Sequence, residues 1–429
     1  MAKTFIKVFY MKLFAKPLAI TLSPNLEKDD IFLALSAFLN FRHWQHGDHI
    51  RQTENWFKEY FKTAEVFSFN SGRSALYFIL KSFGIDKGDE VIIQAFTCVA
   101  VPEPVMWLGA KPIYADIDES LNIDPGLLEE LITSKTRAII VQHTFGVPAN
   151  LDAIKKITQK YNLRLIEDCC HALGAEYKKR KIGTFGDAAF FSFGRDKVIS
   201  SVFGGMAIFP KKNKNINFYA PRELYGQIKM PAKKWILKQL LHPLLFSLVL
   251  PLYNTGLGKL ILALALKIGI IVKPVEVMEL SGGRPSHFPA LLPNALAVIA
   301  INQLKKLERF NRHRQTLASV YAHKLKDSTK IKLPAVNSGA IYLRYNIFHP
   351  RSNNLLKMFK EKEKIILGNW YKRVIDPNGV NLGKVGYYPG LCKTAEKAAE
   401  LSLNLPTYPN LKKEQAEKIA GLLLKYENH

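Results

Sequence analysis

One lysine of this chain follows an apolar run and precedes a pair of glycines. Residues 190–205 read FFSFGRDKVISSVFGG, and Lys197 follows Ser192 by five residues. A lysine amine can form a Schiff base with a carbonyl compound and can carry a proton when it is held beside a reacting carbon. The chain has 61 Lys and Arg residues, so the role of Lys197 depends on the groups that the fold brings to it.

Three further sets of polar residues also follow apolar runs. The segment SGRS at 71–74 comes after one run and opens a helical pattern, so its backbone amides could hold a phosphate. Asp168 ends the run LRLIED, where a carboxylate needs a cationic partner, and His171 follows three residues later. Each signal is weak alone, but pyridoxal phosphate would account for them together, because it needs a lysine, a carboxylate for its ring nitrogen and donors for its phosphate.

The elements that would position these residues form an alternating pattern between residues 65 and 210. Helical patterns such as SALYFILKSF and DAIKKITQKY separate short apolar runs, namely EVFSFN, DEVIIQAF, KPIYADI, RAIIVQHTF, LRLIEDCC, DAAFFSF and GGMAIF. This alternation predicts an α/β domain with a mostly parallel sheet. Ligands of such sheets bind at the carboxyl ends of the strands, where the candidate residues fall.

Residues 222–290 interrupt this pattern with two strongly apolar segments, 240–252 and 257–272, separated by a turn. They predict a helical hairpin, and neither reaches the roughly 18 apolar residues of a membrane-spanning helix. A buried hairpin, contact of residues 235–272 with one leaflet of a membrane, contact with a partner subunit and a cover over the active site all stay open.

After Pro293 a sustained helical period predicts one long helix that leads into a smaller C-terminal domain. We therefore divide the chain into four parts: an N-terminal arm (1–64), a large α/β domain (65–221), an apolar helical-hairpin insertion (222–290), and the long helix with a small C-terminal α+β domain (291–429).

Charge and cysteine content limit the partners and the compartment. Lys and Arg outnumber Asp and Glu by 61 to 36, for a formal charge of +25, which favours anionic partners. No nucleic-acid recognition motif accompanies the charge, so we expect no nucleic acid as a partner.

The four cysteines lack paired spacing, which predicts reduced thiols in the cytoplasm and no metal site. The first twenty residues are basic and apolar without being a secretory signal, and could form a short amphipathic helix.

Longer motifs give a specific resemblance. They are SGRSAL, GIDKGDEVIIQAFTCVA, GAKPIYADID, HTFGVPANLDAI, IEDCCHALGAEY, IGTFGDAAFFSFGRDK, the glycine pair at 204–205 and LSLNLPTYPNLKKEQ. With these motifs the chain resembles the DegT-type (DegT/DnrJ/StrS-like) sugar aminotransferases, which are pyridoxal-phosphate enzymes of fold type I. The resemblance covers residues 65–210 and 293–429, and it implies a large α/β/α domain with a smaller C-terminal domain.

The resemblance also implies roles for individual residues. Lys197 would be the Schiff-base lysine and proton shuttle, Asp168 the partner of the pyridinium nitrogen, and His171 a residue facing the ring oxygen of the cofactor. The cofactor-binding set would be completed, at the phosphate and at the ring face, by Gly72, Arg73, Ser74, Ser192 and Cys98.

Two positions depart from the pattern of the family. Cys98 stands where an aromatic residue usually stacks on the cofactor ring. The usual asparagine contributed to the neighbouring subunit's phosphate site is missing from 287–290, and Arg284 or Arg73 could replace it. Residues that could contact substrate are His143, Arg284, Trp370 and Tyr371.

The function that the resemblance implies is transfer of an amino group to a keto-sugar through a Schiff base on Lys197. The donor is expected to be an amino acid, glutamate first, and the acceptor a nucleotide-linked sugar of polysaccharide biosynthesis. We expect a cytoplasmic homodimer, with peripheral contact at the cytoplasmic membrane face left open. Two alternatives are another pyridoxal-phosphate reaction on the same fold, such as sugar dehydration or amino-acid cleavage, and a membrane-docked binding protein without catalysis.

Overall fold

The computed structural model describes residues 16–63, 65–210 and 219–427 of the chain. The amphipathic helix considered for the first twenty residues falls almost wholly outside these ranges. Within them, the strands of five residues or more are β1 Glu65–Phe69, β2 Glu90–Gln94, β3 Lys111–Ala115, β4 Thr136–Gln142, β5 Arg164–Asp168, β6 Ala188–Ser192, β7 Gly205–Phe209, β8 Arg344–Phe348 and β9 Ser402–Pro406.

The first seven strands form one sheet in the order β1-β7-β6-β5-β4-β2-β3. Strand β7 runs antiparallel to both of its neighbours, and the other pairs are parallel. Residues Val91, Ile92 and Ile93 of β2 are all fully buried, because helices cover both faces of the sheet and leave no solvent side. All seven predicted apolar runs therefore form strands, and the mostly parallel α/β fold is confirmed.

Helices of six residues or more separate and cover the strands. In chain order they are α1 Lys28–Leu39, α2 Asp48–Phe61, α3 Gly72–Ser82, α4 Pro102–Trp107, α5 Leu151–Lys160, α6 Tyr219–Gly226, α7 Lys233–Val249, α8 Leu257–Lys267, α9 Asn294–Lys305, α10 Leu307–Leu325, α11 Ser352–Met358, α12 Lys393–Leu401 and α13 Lys413–Tyr426.

The single long helix predicted after Pro293 is wrong, since two helices, α9 and α10, meet at Lys306. The ammonium of Lys306 binds three carboxylates of the N-terminal segment, with distances of 2.7 Å to Asp29, 3.0 Å to Glu27 and 3.2 Å to Asp30. The helical period of the sequence continues through Lys306, so it does not indicate a break. The acidic residues that bind Lys306 lie far away in the chain, and the local pattern does not reveal them.

The segment predicted as an N-terminal arm contributes to the core beneath the sheet. Phe57 of α2 packs against Phe191 and Phe193, with ring centroids 5.1 and 5.7 Å apart. Such aromatic contacts bury large apolar areas and hold the helix firmly to the sheet. The division of the chain at residues 65, 222 and 291 stays a prediction.

The C-terminal part builds a second, smaller core. Strands β8 and β9 pair antiparallel, and Tyr321 of α10 and Leu423 of α13 are buried against them. A two-residue parallel pairing of Ile375–Asp376 with Thr97–Cys98 fastens the C-terminal part to the large domain. This pairing brings the loop around residue 370 to the carboxyl ends of the large sheet.

The apolar insertion folds as helices α7 and α8. Helix α7 buries Trp235, Ile236 and Leu240 against α1 and α9. Helix α8 instead leaves several leucines exposed. Among the described residues, the helices are all too short or too polar to cross a bilayer.

Candidate active site

A cavity of about 470 Å³ opens at the carboxyl ends of the central strands. The residues predicted from the sequence that line it on the sheet side are Lys197, Asp168, His171, Ser192, Gly72 and Cys98. Because parallel strands end at one edge of the sheet, residues more than a hundred positions apart in the chain meet there. We call these six residues the strand-end wall.

Lys197 and His171 form the closest functional contact of the cavity. The Nζ atom of Lys197 lies 2.9 Å from Nε2 of His171 and 5.1 Å from the ring centre of Trp370. Burial lowers the pKa of His171 well below its usual value, and the charges of Lys197 and Arg344 lower that pKa further. His171 is therefore neutral at physiological pH.

Aromatic side chains stack behind this pair. The rings of His171 and Trp370 lie 5.5 Å apart at 20°, and the rings of Trp370 and Tyr371 lie 5.9 Å apart at 12°. The Tyr371 hydroxyl also lies 3.4 Å from Nε2 of His171. Trp370 and Tyr371 line the cavity, so the structure brings both of these predicted substrate residues to the site.

Asp168 ends strand β5 at the floor of the cavity and is 4% exposed. Its Oδ1 atom accepts the backbone N–H of Cys170 at 2.9 Å. No cation within the described ranges lies close enough to form an ion pair with it, and burial raises its pKa. A buried carboxyl of this kind would be held ionised by a cationic ligand atom placed against it.

The start of helix α3 forms the opposite end of the cavity. Ser71 caps the helix, and its Oγ accepts the backbone N–H of Ser74 at 3.1 Å. That amide is therefore already bonded, and the hydroxyl of Ser74 donates to Asn70 at 2.7 Å. The amides nearer the helix start, at Gly72 and Arg73, border the cavity beside Ser192.

Close packing explains two glycines of this end. A Cβ atom on Gly72 would lie 3.1 Å from Cβ of Ser192, and one on Gly205 would lie 2.4 Å from the carbonyl of Ser71. Strand β7 therefore touches the start of helix α3 directly. Beside this contact a narrow space remains, bordered by backbone amides and by the Ser192 hydroxyl. Such a space at a helix N-terminus suits a phosphate.

The side chain of Arg73 points away from this phosphate-sized space. Its guanidinium pairs with the fully buried Glu279, donates to the carbonyl of Pro274 at 2.8 Å and lies 3.9 Å from Glu103. Burial raises the pKa of Glu103 to about 8. The proposed substitution of the missing asparagine by the Arg73 side chain therefore conflicts with the contacts that this side chain makes.

Residues 273–280, which follow the helical hairpin, cover the cavity opposite the sheet. Lys273, Pro274, Val275, Val277 and Leu280 line it, and we call this segment the roof. The Arg73–Glu279 pair fastens the roof to the start of helix α3. Among the alternatives left open for residues 222–290, the end of this insertion thus corresponds to the cover over the site.

Two of the predicted substrate residues lie elsewhere. His143 is fully buried outside the cavity lining, where its Nε2 lies 3.4 Å from Glu167 and its Nδ1 accepts the backbone N–H of Ala149 at 3.1 Å. Arg284 is exposed, with its guanidinium carbon 6.0 Å from the ring centre of Tyr77. His143 follows a strand in the sequence but points beneath the sheet edge, a direction that the sequence alone does not reveal.

Sequence reasoning missed several residues that line the cavity, including Arg195, Asp196 and Asp376. Arg195 and Asp196 were visible as two charges in the loop that leads to Lys197. Asp376 carried no signal, because only the pairing of its short strand with Thr97–Cys98 brings it to the site.

A comparison with known families agrees with this geometry. The profile of the DegT/DnrJ/EryC1/StrS aminotransferase family matches residues 25–219 and 288–424. The chain belongs to this family. The matched ranges contain the strand-end wall and omit the roof.

Individual proteins are similar to this chain over different lengths. The chain is 26% identical over 417 residues to the pleiotropic regulatory protein of Geobacillus stearothermophilus, covering 94% of this chain and 95% of that one. It is 37% identical over 163 residues to the GDP-perosamine synthase of Escherichia coli O157:H7, but this match covers only 38% of the present chain and 45% of the relative. An aminotransferase of Helicobacter pylori involved in the biosynthesis of pseudoaminic acid shares the fold, with a TM-score of 0.72 at 22% identity over 96% of this chain and 98% of the other.

This DegT-family chain is therefore a sugar aminotransferase dependent on pyridoxal phosphate, as the resemblance implied. Its residues fit the cofactor. A lysine amine stands inside the cavity, a buried carboxylate without a cationic partner stands at the floor, and a helix start meets a serine hydroxyl at the far end.

Proposed function

We propose that the chain transfers an amino group from an amino acid, glutamate first, to a nucleotide-linked keto-sugar, with Lys197 as the reactive lysine. The observation that carries this proposal is the position of the Lys197 amine, 2.9 Å from a neutral His171 inside a cavity that also holds Asp168. Nucleotide-linked sugars are anionic, so the chain's formal charge of +25 favours their approach. The GDP-linked product named for the Escherichia coli relative supports this substrate class.

The cofactor, when bound, supplies an electron sink that withdraws charge from the carbon atom that loses its proton. The protein's residues do the rest. Asp168 would keep the ring nitrogen of the cofactor protonated through its negative charge. The amides at the start of α3 and the Ser192 hydroxyl would hold the phosphate.

Lys197 would move a proton between the substrate carbon and the cofactor. Its amine now lies 2.9 Å from Nε2 of His171 and would leave this contact to carry the proton. The roof excludes water from the reacting atoms, because Pro274, Val275 and Leu280 close the cavity with apolar side chains.

A half-reaction measured by absorbance tests this proposal. Glutamate added to the purified holoenzyme should bleach the visible cofactor band, and one of a panel of nucleotide-linked keto-sugars should restore it. Lys197→Ala should lack both changes, whereas Lys273→Ala, which removes another lysine of the same cavity, should retain them. A band that survives Lys197→Ala unchanged would exclude Lys197 as the reactive lysine.

The same measurement separates the alternative reactions. Consumption of a sugar without any amino donor would favour sugar dehydration, and cleavage of the amino acid without transfer would favour a lyase. A protein that binds no cofactor at all would favour the binding function without catalysis.

We also propose a homodimer. Val277 lines the cavity and is 72% exposed, so a second subunit could cover this edge of the roof. Light scattering coupled to size-exclusion chromatography should give twice the mass of the chain. A monomer at micromolar concentration would contradict this.

The finer proposal of peripheral membrane contact rests on helix α8 and its surroundings. Leu257, Leu260, Leu264 and Ile268 of this region are each at least half exposed and recur on one side of the helix. Residues 224–275 contain seven lysines and no Asp or Glu. An apolar stripe in an entirely basic segment suits an anionic lipid surface.

Co-sedimentation with vesicles tests this contact. The chain should bind vesicles that contain phosphatidylglycerol and should not bind pure phosphatidylcholine. Leu260→Ser should weaken binding by about threefold or more because it removes inserted apolar surface. Leu391→Ser is the control, because Leu391 is as exposed (56% against 57%) but lies outside the hairpin; equal losses in both variants would refute the contact.

A further inference from the structure

An arginine beside Lys197 has buried N–H groups without a hydrogen-bond acceptor. Arg195 lines the cavity, and its Nε atom and one of its Nη atoms are buried without a hydrogen-bond acceptor. Within the described ranges no carboxylate lies close enough to form an ion pair with it. Buried N–H groups of a guanidinium without an acceptor are costly to leave unbonded, so a ligand anion would complete this part of the cavity.

The groups around Arg195 do not supply that anion. The guanidinium carbon lies 5.7 Å from the ring centre of Phe203, and His242 of helix α7 is close enough for Arg195 to lower the pKa of its ring. The neighbouring Asp196 also has an unpartnered Oδ1 atom. Burial raises the pKa of Asp196 only to about 6, so this carboxyl carries a charge at neutral pH, but it lies too far from the Arg195 guanidinium to accept its N–H groups.

The position of Arg195 within the cavity indicates which kind of anion it meets. Phe203, which its guanidinium contacts, precedes Gly204 and Gly205, and Gly205 lies directly against Ser71 at the start of helix α3. Arg195 is therefore connected, through Phe203 and this glycine pair, to the helix-start end of the cavity, where the amides of Gly72 and Arg73 also border it. At that end a phosphate would meet backbone donors and a guanidinium from different sides.

We propose that Arg195 binds a phosphate group of a ligand in this cavity. Its planar fork of N–H donors matches the geometry of phosphate oxygens, which a lysine ammonium matches less well. The phosphate has two sources, the 5′-phosphate of the cofactor and the diphosphate of a nucleotide-linked sugar. The proposal rests on the cofactor site proposed above, but not on the identity of the sugar.

Two binding measurements distinguish the sources. The full chain, stripped of cofactor, is titrated with pyridoxal phosphate and with pyridoxal, following the fluorescence of Trp370 and the other tryptophans. The holoenzyme is then titrated with GDP, UDP and dTDP by calorimetry. Neither titration needs turnover, so a failure of amino transfer leaves this test intact.

Arg195→Gln is expected to weaken one of the two interactions by about tenfold or more, the effect of losing one charge-assisted contact. If the cofactor is the source, the Kd of pyridoxal phosphate rises and that of pyridoxal stays unchanged. If the substrate is the source, the Kd of a nucleoside diphosphate rises and that of the cofactor stays unchanged.

Control variants separate a charge effect from a folding effect. Arg195→Lys keeps the positive charge and should recover part of the lost affinity. Arg312→Gln removes an exposed arginine outside the cavity and should change neither Kd. If Arg195→Gln and Arg195→Lys both bind pyridoxal phosphate and all three nucleotides within twofold of the unmodified chain, the proposal is wrong.

Discussion

The two sides of the active-site cavity differ in how they are held in place. The strand-end wall consists of residues that directly follow strands or begin a helix, so the hydrogen bonds of the sheet and helix position them. The roof, residues 273–280, contains only one short helical turn and is held mainly by contacts with distant residues, among them the buried ion pair between Glu279 and Arg73 and the packing of Leu280 on the core. In the wall, the hydrogen bonds of the sheet bring residues together in the order of the strands. In the roof, a contact between side chains that are distant in the sequence determines where the loop lies.

The family comparison follows the same division. The matched ranges end at residue 219 and resume at residue 288, so they include the wall and omit the roof with its hairpin. The part of the cavity that the family has in common with this chain is therefore the wall.

Asp168→Asn should give the largest effect, because it alters the wall at its centre. The amide has no charge with which to hold a cationic ring nitrogen, so kcat should fall by about 10²- to 10⁴-fold. The free energy of unfolding should change little, because the substitution also removes the cost of burying an ionised carboxyl group. Steady-state kinetics beside the exposed control Asp48→Asn checks this, and a variant that keeps a tenth of the activity would refute the role of Asp168.

Glu279→Gln should loosen the roof while leaving the wall intact. The variant leaves the charge of Arg73 buried with only Glu103 at 3.9 Å, which should lower the free energy of unfolding by about 3 kcal/mol. Urea denaturation measures this change. The control is Glu276→Gln, which alters a partly exposed carboxylate of the same segment and should cost about 0.5 kcal/mol or less. Equal effects in the two variants would show that the buried pair does not hold the roof.

The pH dependence of stability gives a third effect, of at most the same size, at the same ion-pair cluster. Burial raises the pKa of Glu103 from its ordinary value of 4.5 to about 8. The folded chain therefore holds a proton here that the unfolded chain releases, so this group's contribution is complete below pH 4.5 and is lost as the pH rises to about 8.

Glu103→Gln keeps a neutral side chain at every pH and should remove this dependence. The unmodified chain should lose up to about 3 kcal/mol relative to the variant between pH 5 and pH 8. Urea denaturation of both proteins at several pH values checks this difference. Parallel stability curves would show that Glu103 stays ionised beside Arg73.

The wall was largely predictable from the sequence because each of its residues is tied to a local pattern. Asp168 ends an apolar run, Lys197 follows another, and SGRS opens a helical period. Parallel strands that carry such residues at their carboxyl ends must place them at one edge. His143 shows the limit of this reasoning, since it follows a strand like the others but its ring packs beneath the edge.

The roof was not predictable in the same way. No local pattern in residues 273–280 indicates that they lie over the strand ends of another part of the chain, and the hairpin before them allowed four arrangements. Arg73 illustrates the same point, because the phosphate-binding motif in which it stands gives no sign that its guanidinium turns to Glu279. An ion pair between residues 206 positions apart leaves no periodicity in either segment.

By itself the sequence determined the α/β fold, the order of its strands along the chain and the residues at the strand ends, because hydrophobic periodicity and turn chemistry act over a few residues. Only the tertiary structure decided that helices α9 and α10 part at Lys306, that residues 273–280 cover the cavity, and that Arg195 lines it with buried N–H groups that have no acceptor. These features depend on contacts between residues that are far apart in the sequence. Burial makes each such contact strong, but no local sequence pattern indicates it.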